Sequence, residues 1–150
     1  MNEVIPLSIK KKVIDLIRRH GTSDPQRIAA ALGIRLIYID LGGAVYGTYL
    51  KYKRIKTILI DADTTPPQLL PFVIAHELGH AVCTPDANTS WISAYTLALN
   101  TDRIEREANT FAVELLLPDS FIRENEGCSI YQLARLRGVP ERLVELKGIA

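Results

Sequence analysis

The chain has 150 residues, 47% hydrophobic and 23% charged, which is enough apolar material for one core and too little length for two ordinary domains. Eighteen basic side chains against seventeen acidic ones leave a net charge of +1, so the broad field of a dedicated nucleic-acid or membrane-surface binder is excluded and any charged partner must be met locally. Two cysteines, Cys83 and Cys128, make neither a CxxC pair nor a disulfide framework, and no apolar run approaches a membrane span, so a cytoplasmic protein without membrane contact is expected.

Taken in chain order, Ser8 is expected to cap a first helix in which Ile9, Val13, Ile14 and Ile17 recur at helical spacing, with Lys10, Lys11 and Arg18 outward and Gly21 as the stop. Asp24-Pro25 reads as an N-cap followed by proline at the first helical position, and Gly33 ends the short helix that follows. Residues 34–40, 44–52 and 55–61 are β-branched, apolar runs, the last two joined by the polar turn Lys53-Arg54. A strongly apolar helix then begins between Pro67 and Leu70, with Pro71 in its first turn, and ends before Pro85. Residues 86–100 give no clear pattern, 102–117 is an amphipathic helix ended by Pro118, and two short helices over 129–137 and 140–147 close the chain around Gly138. The expected fold is α+β: a small three-stranded sheet packed on the 70–84 helix and on the 102–117 helix, with a short C-terminal helical pair. Residues 1–150 read as one domain, with 127–150 a helical extension inside it.

The chemistry concentrates in His76-Glu77-Leu78-Gly79-His80, an HExxH pattern that a chain of this composition would show by accident roughly 0.004 times. Residues four apart on a helix differ by about 40° in azimuth, so both imidazoles can reach one metal ion, while Glu77, about 100° round from His76, can flank that ion as a general base. Gly79 offers no side chain and lets a second helix approach closely. A catalytic zinc site wants three protein ligands and one open position. On the helical wheel of 102–117, Glu105 falls inside the apolar arc, between Ala112 and Leu116, whereas Glu107 and Glu114 fall on the polar face beside Arg103 and Thr110. A carboxylate on the core side needs a cationic partner, which makes Glu105 the candidate third ligand. Asn109, one turn on, is placed to hydrogen-bond a ligating ring, and the small Ala108 and Ala112 allow the two helices to come together.

HELGHAV at 76–82, followed by EREANTFAVELLLP from Glu105, resembles the ImmA/IrrE family of zinc metallopeptidases, a gluzincin-like group. The ILID strand before the helix and the closing SIYQLARLRGVPERLVEL are also similar to that family, so the resemblance covers roughly residues 10–147. It implies a zincin-like fold, Zn2+ held by His76, His80 and Glu105, and Glu77 as the base. It further implies a zinc-dependent endopeptidase acting on a protein substrate. In that family, members encoded by mobile elements cut a partner repressor, while others act in stress responses or as toxin–antitoxin components. Many relatives carry an N-terminal helix-turn-helix domain for which this chain has no room, so a DNA-binding repressor is expected as a separate polypeptide.

The strand ending in Ile58-Leu59-Ile60 runs into the metal helix and is expected as a sheet edge able to take up an extended peptide. Tyr46, Tyr49, Tyr52 and Tyr95 are open candidates for an oxyanion donor. Two rival readings remain. Gln132 to Val139 followed by Leu143 and Val144 has helix-turn-helix spacing, but Glu141, Arg142, Glu145 and Lys147 sum to zero charge, which argues against direct DNA contact. The other is a zinc-holding binding module or antitoxin-type regulator without turnover; a purely structural site would need a fourth protein ligand, and Cys83, one turn beyond His80, is the nearby candidate but reads rather as a buried thiol.

Overall fold

The structure, a computed structural model, describes residues 5–43, 45–86 and 102–148, the side chains of residues 5–8 apart. Helix α1 (Ile5–His20) begins before Ser8, because Pro6 tolerates the first helical turn and the chain is already helical when Ser8 is reached. Ile9, Val13 and Leu16 are buried and Ile14 faces out. Lys10 is not outward as expected: its Nζ bonds the Gly148 carbonyl at 2.6 Å and pairs with Asp119 at 3.1 Å. Helix α2 (Pro25–Ala31) is capped as its sequence indicates, the Asp24 carboxylate accepting from the Gln26 amide at 3.0 Å.

Three strands follow, β1 (Arg35–Tyr38), β2 (Gly47–Tyr52) and β3 (Ile55–Ile60). Their spatial order is β1-β3-β2, with β1 parallel and β2 antiparallel to β3. This corrects the expectation that the Ile58-Leu59-Ile60 strand is an edge. Ile58 and Ile60 are fully buried, and the two neighbouring strands satisfy the backbone on both sides. The edges among the described residues are β1 and β2. Asp61, at the end of β3, is buried and accepts from the amides of Leu41 at 2.8 Å and Thr64 at 3.2 Å, which pull its carboxyl below the usual range and tie the loop after β1 to the approach of the next helix.

That helix, α3 (Leu70–Cys83), is buried without interruption from Phe72 to Ala81, Pro71 lying in its first turn as expected. It is clamped between the sheet and helix α4 (Arg103–Leu116), whose buried face includes Ala108, Phe111, Ala112 and Leu115. A short helix α5 (Asp119–Glu124), too brief to leave a periodic signal in the sequence, comes directly after Pro118. Helix α6 (Ile130–Arg137) carries a reciprocal capping box between Ser129 and Gln132 and ends at Gly138, φ +79°. The last segment, Glu141–Leu146, the short helix expected over 140–147, is a 3-10 helix, and Val144 joins the core. No helix among the described residues is long and apolar enough to cross a membrane.

Candidate metal centre

Because α3 is enclosed on all sides, its polar side chains cannot reach bulk water: His76, Glu77 and His80 are each at most 1% exposed. Buried polar groups of this kind are costly unless paired. Glu105, 3% exposed on α4, is aimed at both rings: its Oε1 lies 2.9 Å from His76 Nε2 and its Oε2 lies 3.0 Å from His80 Nε2. The two imidazoles and the carboxylate thus form a group whose ligand atoms all fall within 4.8 Å of one another. The helices can come this close because of Gly79. A Cβ there would stand 3.0 Å from the Ala108 carbonyl oxygen, 3.1 Å from Ala108 Cα and 3.1 Å from Phe111 Cβ, so the backbone of α4 rests directly on it.

Hydrogen bonding within the group is incomplete in an informative way. His76 Nδ1 faces Asn109 Oδ1 at 2.7 Å, so Nδ1 carries the proton and donates. Burial, reinforced by His80, holds the His76 pKa below its ordinary value against the opposing pull of Glu105 and Asn109, which favours the neutral ring. In that tautomer Nε2 presents a lone pair to a carboxylate. Two acceptors facing each other need a cation between them. His80 Nδ1, His80 Nε2 and Glu105 Oε2 are buried without a well-formed hydrogen bond. Burial raises the Glu105 pKa, and rings that carry protons toward the carboxylate would outweigh it and bring the group down to about 2; with the neutral His76 tautomer that pull has to come from a cation held between the three groups. Two imidazole nitrogens and one carboxylate buried together suit a divalent ion of zinc's preferences.

Glu77 occupies a different environment. It is fully buried, and neither carboxylate oxygen has a well-formed hydrogen bond. Burial first, then the nearby Glu105 charge, push its pKa well above the ordinary value, opposed by the backbone amide of Tyr49. Sequence reasoning missed this neighbour. The Tyr46 carbonyl accepts from the Asp61 amide, which makes Thr48, Leu50 and Tyr52 the residues hydrogen-bonded to β3 and turns the backbone groups of Gly47, Tyr49 and Lys51 away from β3, the Tyr49 amide toward Glu77. Counting alternation back from the Lys53-Arg54 turn would have found it.

Cys83 does not join the group of His76, His80 and Glu105, and burial raises its thiol to about 11. Glu107 pairs with Arg103 at 2.8 Å. Glu114, expected on the polar face, is instead buried at 3%, its Oε1 receiving Lys147 Nζ at 2.6 Å, because the C-terminal segment folds across α4. The Tyr49 hydroxyl donates to the Pro85 carbonyl at 2.8 Å, and burial and Asp86 raise its pKa to about 12. Tyr52 is 70% exposed at the hairpin tip, Tyr46 is partly buried against the core, and Tyr95 lies outside the described residues.

On this mixed α/β scaffold two helices press a His-His-Glu group together beside a second buried carboxylate, a donor set of the kind that holds a divalent metal ion. Residues 29–147 match the profile of the peptidase M78 family, described as the IrrE N-terminal-like domain, and the chain belongs to this ImmA/IrrE family. It is 39% identical over 144 residues to the "Uncharacterized immunity region protein 2" of Bacillus phage phi105, covering 95% of this chain and 90% of the phage protein. It is 34% identical over 143 residues to "Metallopeptidase ImmA" of Bacillus subtilis (strain 168), covering 93% of this chain and 83% of that protein. No solved structure gave a significant match.

Proposed function

We propose that the chain is a zinc-dependent endopeptidase of the cytoplasm that hydrolyses a peptide bond in a protein substrate, a separate DNA-binding repressor of a mobile element or stress regulon. The observation that carries this reading is the convergence of His76, His80 and Glu105 beside the unpaired carboxylate of Glu77. His76, His80 and Glu105 are the residues that would hold Zn2+, and Asn109 fixes the His76 ring by accepting from Nδ1. Zinc bound there supplies Lewis acidity that polarises the scissile carbonyl and acidifies water. Glu77 takes a proton from the attacking water and returns it to the leaving amine, a role suited to a carboxylate held in a dry site. The family match and the relative named as a metallopeptidase support hydrolysis, and the phage relative named for an immunity region supports a repressor as the substrate.

The test is co-expression with candidate repressors, wild type against Glu77→Gln, with mass spectrometry of fragments and metal analysis of both proteins. Fragments that appear only with the wild type, while the variant keeps its zinc, are the expected result. Cleavage that survives in Glu77→Gln, or a regulatory effect that survives without any cleavage, would replace the enzyme by a zinc-holding regulator.

A further inference from the structure

Between α1, α5 and the end of the chain lies a cavity of about 370 Å³ that the proposed chemistry does not use; none of His76, Glu77, His80 and Glu105 lines it. Part of its lining is apolar, made by Val13, Ile14 and Ile17 of α1 together with Pro118. Ile14 belongs to the apolar stripe of α1, yet it is 38% exposed where Val13 and Leu16 are buried, so the stripe is left uncovered at this cavity. The rest of the lining brings four cations, Lys10, Arg18, Arg123 and Lys147, to two carboxylates, Glu114 and Asp119. Both carboxylates are already answered. Lys147, its side chain 1% exposed, meets Glu114 and Asp119, and Lys10 pairs with Asp119. Arg18 and Arg123 make no ion pair or hydrogen bond among the described residues, so two guanidinium groups at the cavity keep their donors free.

We infer that this cavity binds a small amphiphilic monocarboxylate, with its carboxylate on Arg18 and Arg123 and its alkyl chain over Ile14 and Ile17. The inference stands apart from the reading of the metal centre. The volume falls in the range of small-molecule sites, and those sites likewise combine an apolar lining with a few polar groups that fix orientation. A guanidinium fork matches the two oxygens of a carboxylate. Glu114 and Asp119 stand beside the two arginines and oppose a ligand that carries charge over its whole surface, such as inorganic phosphate, whereas an alkyl chain laid on the α1 stripe is rewarded by burial. A molecule held there joins α1 to α5 and rests against Glu114 of α4, the helix that also carries Glu105, so its binding is read as stabilisation of the folded protein.

The experiment titrates full-length zinc-loaded protein calorimetrically with sodium hexanoate, sodium acetate, 1-hexanol and inorganic phosphate, with thermal melts in parallel. Acetate ligates a metal ion as readily as hexanoate does and so controls for binding at the zinc. Hexanoate should bind saturably and raise the melting temperature, and affinity should fall roughly three- to fourfold for each methylene removed on the way to acetate. Arg18→Gln/Arg123→Gln should weaken hexanoate binding about tenfold. Ile14→Asp, at an exposed position, should abolish it while the melt of the free variant stays close to that of the wild type. No saturable binding of hexanoate at millimolar concentration overturns the proposal. Binding that both variants leave unaltered places the ligand elsewhere and overturns it as well. Hexanol that binds as tightly as hexanoate removes the role of the arginines, and phosphate or acetate that does so removes that of the α1 stripe; either result sinks the assignment.

Discussion

At the scale of single residues, the contact most open to test is the one between Asn109 and His76. The Asn109 amide oxygen fixes which nitrogen of His76 carries the proton, and therefore which one presents a lone pair toward Glu105. Removing it leaves a buried N–H unpaired and the ring free to turn. Asn109→Ala should weaken zinc binding about 10- to 100-fold in a chelator competition, while Asn109→Asp, which keeps an acceptor at that position, should restore most of it. The candidate site was legible because each part of it rests on local periodicity: His76 and His80 share a face by helical spacing, and Glu105 and Asn109 stand out as polar residues inside an apolar arc. Glu114 was not legible by the same rule. Its wheel position faces away from α3, and only the arrival of Lys147 and Gly148 from the chain end turns that face into an interior. A wheel sees one partner surface, and α4 has two.

At the scale of elements, the distance between α3 and α4 sets the site. Gly79→Ala would place a methyl group within 3.0 to 3.1 Å of three atoms of α4, two of them backbone. Neither helix can yield cheaply, since α3 is also pressed on the sheet. The substitution should cost about 1–3 kcal/mol in urea denaturation, and zinc content should fall with it as Glu105 is carried away from the rings. A variant that kept full stability and full zinc content would show that the helices are not in register through Gly79. The number of strands followed from apolar runs and turn residues, but their order did not, because pairing between non-adjacent segments leaves only a composition signal. That signal was present. β2 carries exposed charge and aromatic residues at its far end, as edge strands do, whereas the Ile58-Leu59-Ile60 run is nearly continuous apolar sequence, as in a strand covered on both sides.

At the scale of the whole molecule, the last residues fasten the scaffold that carries Glu105. Lys147 Nζ meets Glu114 Oε1 at 2.6 Å and Asp119 Oδ1 at 2.7 Å, the Gly148 amide donates to Glu114 Oε2 at 2.8 Å, and Lys10 of α1 bonds both Gly148 and Asp119. Start, end, α4 and α5 are joined through four charged side chains, two of which, Lys147 and Glu114, are almost wholly buried. Lys147→Met would leave the Glu114 carboxylate uncompensated in the interior and should cost about 3–5 kcal/mol, whereas Lys147→Met combined with Glu114→Leu should recover most of that loss, because a buried pair exchanged for well-packed apolar groups is close to neutral. The cluster also sets a pH dependence. Burial raises the Asp119 pKa, but Lys147 and Lys10 more than offset it, so the folded value lies below 3.8. A depressed carboxyl stabilises the fold fully above its unfolded pKa and ceases to do so as pH falls through the folded one. The stability gap between wild type and Asp119→Asn should therefore be constant from pH 7 to about 5 and shrink below about 4, measured by urea denaturation at each pH. A gap that stayed open at the acid end would mean that Asp119 acts through packing and not through its charge.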